Sequence, residues 1–158
     1  MGENSINETF QSAIDEYSDM VTRICIVSLG NMIDAQEAYL NCFESLYMQL
    51  KKKPPDDTGK WLAKVAYNEC KSMLRFKLKH KFVSIDDITM PFDTAQESEL
   101  IQIVFSLPEK YRNVLHLYVN VGYSTREIAE ITGQKESTVR SQLKRARERL
   151  KKELEKGG

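Results

Sequence analysis

Apolar residues recur every three or four positions along most of this chain. Ile6, Phe10, Ile14, Tyr17, Val21 and Ile24, closing on Ser28 and Leu29, predict a helix over about 5–29, with Gly30-Asn31 as its stop. A second stripe of Ala35, Ala38/Tyr39, Cys42/Phe43, Leu46 and Leu50 predicts a helix over about 34–52. Asp34 is placed to cap it by accepting backbone N–H bonds. Residues 51–59 read as a loop, because Pro54 and Pro55 lack N–H groups and the polar cluster around them has nothing to bury. Trp61, Leu62, Val65, Ala66, Met73 and Phe76 then predict a third helix over about 60–80.

The pattern breaks over 82–96, where no basic residue and no helical period occurs. It resumes near 96–106 with Leu100, Ile101, Val104 and Leu107. Pro108 suits the first turn of another helix, about 108–121, with Tyr111, Val114, Leu115, Tyr118 and Val121 inward and Gly122 ending it. No segment sustains the two-residue alternation of a strand. The expected fold is therefore all-α, with two small helical domains, 5–81 and 97–156, joined by a flexible linker at 82–96.

The most informative stretch begins at Ser124. Ser124 and Glu127 form a Ser-x-x-Glu capping box, the start signal of a short helix whose buried face is Ile128, Ala129 and Ile131. Gly133 sits where the chain must leave that helix with positive φ. A long helix follows from near Glu136–Ser137, with Val139, Leu143, Ala146, Leu150 and Leu154 as its inward stripe. Arg140, Ser141, Lys144, Arg145, Arg147 and Glu148 lie off the stripe. Two helices joined by a glycine turn, the second carrying basic donors outward, make a helix-turn-helix suited to a major groove.

Charge sharpens this picture. The 158 residues hold 23 basic and 23 acidic groups, a zero sum that would argue against nucleic acid. The charges are segregated: net −7 over 1–50, +7 over 51–81, −5 over 82–99 and +5 over 100–158. Salt screens beyond about 8–10 Å, so two basic blocks act as separate polyanion contacts. The longest apolar run, 24–29, is too short to span a bilayer, and no basic-then-apolar leader precedes it, so a cytoplasmic protein without membrane insertion is expected. Cys25, Cys42 and Cys70 each fall in a helical pattern and read as reduced, buried thiols.

The chemistry of an enzyme is missing from the sequence. Its two histidines, His80 in a run of lysines and His116 in an apolar helix, have no metal-ligand spacing with cysteine or carboxylate. There is no glycine-rich phosphate loop. No catalytic residue, metal or cofactor is expected.

The strings Leu107-Pro108-Glu109-Lys110-Tyr111-Arg112, Gly122-Tyr123-Ser124, Glu127-Ile128-Ala129-Glu130, Thr138-Val139-Arg140-Ser141 and Arg145-Ala146-Arg147-Glu148-Arg149-Leu150 resemble domain four of bacterial RNA polymerase sigma factors, especially the extracytoplasmic-function (ECF) subfamily. Asp34-Ala35-Gln36-Glu37 with Phe43, and 61–68 with Arg75, resemble that family's domain two. Leu40, Asn41 and Cys42 stand where the family usually has glutamine, an acid and an apolar residue. Gln134 and Lys135 replace the apolar residue and hydroxyl cap usual after the turn glycine, which predicts a looser start to the recognition helix.

The resemblance implies a subunit that recruits core polymerase to promoters and initiates transcription. Domain four would read the −35 element through the helix 136–149, using Ser137, Thr138, Arg140, Ser141, Lys144, Arg145 and Arg147, with Lys144 and Arg147 on phosphates. Domain two would bind the −10 element through the loop and helix 51–81, using Lys60, Trp61, Lys64, Asn68, Lys71 and Arg75. Trp61 reads as a core anchor before it reads as a stacking platform. The helix 34–47, with Asp34, Ala35, Glu37, Ala38, Asn41 and Phe43, would dock on the clamp of the polymerase's largest subunit, and domain four on the flap of the second. An anti-sigma factor is the implied regulator. The alternatives are a helix-turn-helix regulator that never touches polymerase, and a non-initiating accessory of the same fold.

Overall fold

A computed structural model describes residues 2–80 and 95–156, with side chains through 79 and from 101 to 156. Of the expected linker, 82–94 lies outside the described residues, and Ala95 and Gln96 already belong to a helix. The elements are α1 (Glu3–Leu29), α2 (Met32–Lys52), α3 (Thr58–His80), α4 (Ala95–Ser106), α5 (Glu109–His116), α6 (Thr125–Thr132) and α7 (Glu136–Lys156). There is no strand among the described residues. The chain divides into two compact units, one built on α1–α3 and one on α4–α7.

In the first unit each helix packs against the other two. Gly30 closes α1 at φ 67°, its N–H bonding Ile26 O at 2.8 Å. A left-handed conformation there costs glycine nothing. The cap of α2 is Asn31 rather than Asp34: the Asn31 side chain accepts Asp34 N at 3.1 Å, and the helix starts two residues earlier than the apolar stripe predicted. Asp34, inside the first turn, is instead ion-paired to Lys77 near the end of α3. Asp57 opens α3 by accepting Lys60 N at 3.0 Å on its side chain and Trp61 N at 2.9 Å on its carbonyl.

The core is Val21 and Ile24 of α1, Ala35, Ala38, Phe43, Leu46 and Leu50 of α2, and Leu62, Ala63 and Ala66 of α3. Small side chains let the helix axes approach. Cys25, Cys42 and Cys70, one per helix, are free and meet at the centre. Hydrogen bonds to the Cys42 and Cys70 thiols, with burial, push the Cys25 thiol far above its ordinary value.

In the second unit α7 packs on α4, α5 and α6 around Leu107, Tyr111, Val114, Leu117, Ile128, Ile131, Val139, Leu143 and Ala146. Past His116, α5 widens into a π-helical turn over Leu117–Val121, and the N–H groups of Gly122 and Tyr123 both bond Leu117 O. The wide turn shifts the face by about one residue. Leu117 is buried and Tyr118, expected inward, is exposed. His116 is buried, as its apolar helix predicted, with Nδ1 2.9 Å from the Asn120 amide. Arg112 is buried too, donating to Leu107 O at 3.0 Å and lying 4.6 Å from the Phe105 ring centroid.

Candidate nucleic-acid interface

The turn between α6 and α7 is built from polar contacts. The capping box is complete: Ser124 Oγ accepts Glu127 N at 3.1 Å, and Glu127 Oε1 accepts Ser124 N at 3.0 Å. Such a cap contributes about 0.5–2 kcal/mol. Gly133 leaves the helix at φ 70°, bonding Ala129 O. Ile128 and Ile131 are fully buried, while Ala129 is only half-buried. Glu136 ties the two N-termini together, accepting Thr125 Oγ1 at 2.9 Å and Arg140 Nη2 at 2.8 Å on the same oxygen.

Helix α7 buries Val139, Gln142, Leu143 and Ala146. At about 100° per residue, Ser137, Ser141 and Lys144 lie opposite that stripe. Arg140 and Arg147 occupy one flank, Thr138 and Arg145 the other. All seven expected −35 residues are exposed. Several are held: Arg140 by Glu136, Arg147 over the Tyr118 ring at 5.3 Å, and Arg145 by a hydrogen bond to the Tyr111 hydroxyl. The displaced Tyr118 is thus a platform for Arg147, an outcome that depends on the π turn and is invisible in the heptad-like spacing of the sequence.

The first unit carries a second cationic line. Lys60, Lys64, Asn68, Lys71 and Arg75 fall within about 80° of arc along roughly four turns of α3. Lys64, Asn68 and Arg75 are exposed; Lys60 and Lys71 are half-buried, with Lys71 Nζ 5.5 Å from the Tyr67 ring. Lys77, also basic, lies on another face of α3 and pairs with Asp34. Trp61 is not in the core. It is half-buried on the wall of a cleft of about 610 Å³ between α2 and α3, shared with Asn41, Met48, Lys52 and Val65. The first turn of α3 rests on Tyr17 of α1, whose ring lies against Gly59.

Most of the residues expected to dock from α2 are turned inward. Ala35, Ala38 and Phe43 are buried at 3%, 0% and 4% exposure, because they supply the α2 side of the three-helix core. Asp34 is engaged with Lys77, and Asn41 is half-buried, donating to Glu69 at 2.8 Å. Of the six, Glu37 alone is exposed. It lies in a stripe with Ile33, Leu40 and Glu44 that spans about 60° of the helix. Ile33 and Leu40 are large apolar side chains left to solvent.

No helix among the described residues is long and apolar enough to cross a membrane. Among the described residues, no group of three or more histidine, cysteine, aspartate or glutamate side chains is arranged to hold a metal ion.

The sigma-70 region 4 family model matches residues 98–150. The chain is 26% identical to the ECF RNA polymerase sigma factor SigW of Bacillus subtilis, over 93% of this chain and 89% of that one. It is 23% identical to the ECF sigma factor SigE of Mycolicibacterium smegmatis, over 98% of this chain and 65% of the relative, so it spans slightly under two thirds of that protein. The sigma factor RpoE of Bartonella quintana, solved in complex with the anti-sigma factor NepR, shares the fold at a TM-score of 0.82, with 17% identity over 94% of this chain and 98% of that one.

Proposed function

We propose that the chain is an ECF-type RNA polymerase sigma factor that carries core polymerase to promoters by two DNA contacts on separate helical units, a reading supported by the sigma-70 region 4 match and the likeness to SigW. The second unit, residues 97–156, reads the −35 element in the major groove with Ser137 and Ser141 toward the bases, Lys144 on a phosphate beside them and arginines on both flanks. The first unit, residues 5–81, holds the −10 strand along the cationic line Lys60 to Arg75, with the Trp61 cleft beside it.

One observation carries this reading: α7 buries Val139, Leu143 and Ala146 together while exposing every basic residue between them. An ordinary helical hairpin needs the buried stripe. It does not need a second helix capped by a tight turn and lined outward with donors of fixed spacing.

The exposed α2 stripe of Ile33, Glu37, Leu40 and Glu44 supports docking on the polymerase clamp, in place of the buried residues first expected. The likeness to a sigma factor solved with its anti-sigma factor supports a regulator of that kind here. The −35 contact is tested with duplexes selected by the full chain from a random pool. Arg140→Ala and Ser141→Ala should weaken binding to selected duplex about 10- to 100-fold and to random duplex much less. Equal losses on both would remove base reading from α7.

A further inference from the structure

The start of α3 is capped in part by another helix. The first N–H groups of a helix have no acceptor within it. Asp57 takes one of them, Lys60 N, on its side chain at 3.0 Å. The Gly59 N–H turns to α1 and donates to the Tyr17 hydroxyl, which itself donates to the Glu16 carboxylate. Partial burial, then the Glu16 charge, holds the phenol above its ordinary value, so it stays a donor. A side chain at 59 would collide with the ring, so glycine is what lets the hydroxyl reach the backbone.

The connection 53–57, between α2 and α3, is held at its other end as well. Lys53 N bonds Gln49 O at 2.9 Å, and Gln49 Nε2 donates to Lys53 O at 3.1 Å. Between the two anchors stand Pro54 and Pro55, whose rings fix their own φ. A segment that orders on binding loses its conformational freedom at that moment; this one loses it on folding. The Tyr17 contact lies at the rim of the unit, with Tyr17 half-buried and Glu16 and Asp57 exposed. It therefore fixes the connection before it and Lys60 and Trp61 after it more than it fills the core.

We infer that Tyr17 is a positioning residue for capture of the −10 strand: through the Gly59 N–H it keeps the connection 53–57 and the first turn of α3 in one preformed arrangement. This rests on the proposed reading of α3 as the −10 contact. Tyr17 acts through Gly59 and needs no contact of its own with DNA. The apparent affinity for the strand falls with the fraction of molecules that hold the competent arrangement.

The test uses the full chain assembled with core polymerase and two fluorescent probes made from a promoter that the chain selects. One probe is a duplex carrying the −35 element alone. The other is a fork that adds a single-stranded −10 stretch. Tyr17→Phe keeps the ring and removes the hydroxyl. It should weaken fork binding about 3- to 10-fold, the effect of one hydrogen bond on the preformed fraction. Binding to the −35 duplex and the melting temperature should stay as in the wild type, and hydrogen exchange at the Gly59 amide should speed up. A merely structural role would lower the melting temperature or weaken both probes alike. Equal fork affinity in wild type and Tyr17→Phe would overturn the proposal, as would a loss shared equally by the two probes. A wild-type complex that binds the fork no better than the −35 duplex would overturn the −10 reading of α3 itself.

Discussion

The side-chain amides of Gln134 and Gln142 close on each other, with Gln134 Nε2 3.0 Å from Gln142 Oε1 and Gln142 Nε2 2.8 Å from Gln134 Oε1. Gln134 stands in the turn; Gln142 is buried two turns into α7. The same Gln134 nitrogen reaches Thr132 Oγ1 at 3.0 Å, and that hydroxyl donates to Ile128 O at 2.8 Å. A chain of hydrogen bonds therefore fixes the angle between α6 and α7, where an apolar residue would otherwise sit. Helix α7 begins at Glu136, where the spacing predicts it, with Val139 N bonded to Lys135 O at 3.1 Å.

Breaking half of this pair should cost more than removing it whole. Gln134→Leu leaves the Gln142 amide buried without its partner, a loss of about 1–3 kcal/mol. Gln134→Leu/Gln142→Leu should recover most of that. Urea unfolding of the two single variants and the double closes the cycle. A double variant as unstable as the sum of the singles would deny the pair its structural role.

Gly59 is the second sensitive point. A Cβ there would lie 2.7 Å from Tyr17 Cε1 and 3.2 Å from Cζ, so the ring must move. Gly59→Ala should destabilise the first unit by about 1–3 kcal/mol. Tyr17→Leu in the same background should return part of it. A Gly59→Ala protein that melts with the wild type would mean the first turn of α3 is not anchored on Tyr17.

The buried thiols set an alkaline limit. Cys25 is raised by its thiol hydrogen bonds and by burial, so the folded state keeps a proton that the unfolded chain releases. The stability it contributes is fully present below the unfolded thiol value, about 8.5, and declines as pH rises beyond it. Native protein should react with a thiol-specific disulfide reagent only as fast as it opens, and the unfolding free energy should fall between about pH 8 and pH 10. Rapid reaction of all three thiols in the native state would contradict the packing of the core.

The cationic line on α3 should act in promoter opening. Lys71→Ala/Arg75→Ala should slow open-complex formation and flatten its salt dependence by up to about two contacts' worth, with −35 binding intact. Permanganate reactivity of the −10 thymines reports the opening. Unchanged opening would take α3 out of the mechanism.

The seven helices were legible from apolar spacing, within about two residues at their ends. So was the α7 face, because a capping box, a glycine turn and an uninterrupted stripe agree on one register. What escaped has a common cause. Spacing reports which residues share a face; it does not report which face meets core. On α2 the Asp34–Phe43 string was assigned to a surface, whereas its small residues are what lets α1 and α3 approach. The π turn after His116 moved Tyr118 outward, and period counting assumes no extra residue in a turn. Spacing marks Tyr111 as inward but not the Arg149 guanidinium over its ring, because that contact joins two helices distant in sequence. Trp61, read as core, lines a cleft for the same reason.

The central claim is that two cationic helical surfaces deliver core polymerase to promoters. Run-off transcription tests it most directly, with purified core enzyme, this chain as the sole sigma factor and a library of genomic fragments. The account predicts discrete start sites that share two spaced elements and disappear with Arg140→Ala/Ser141→Ala. Tight DNA binding by the chain with no discrete transcript from core would contradict it.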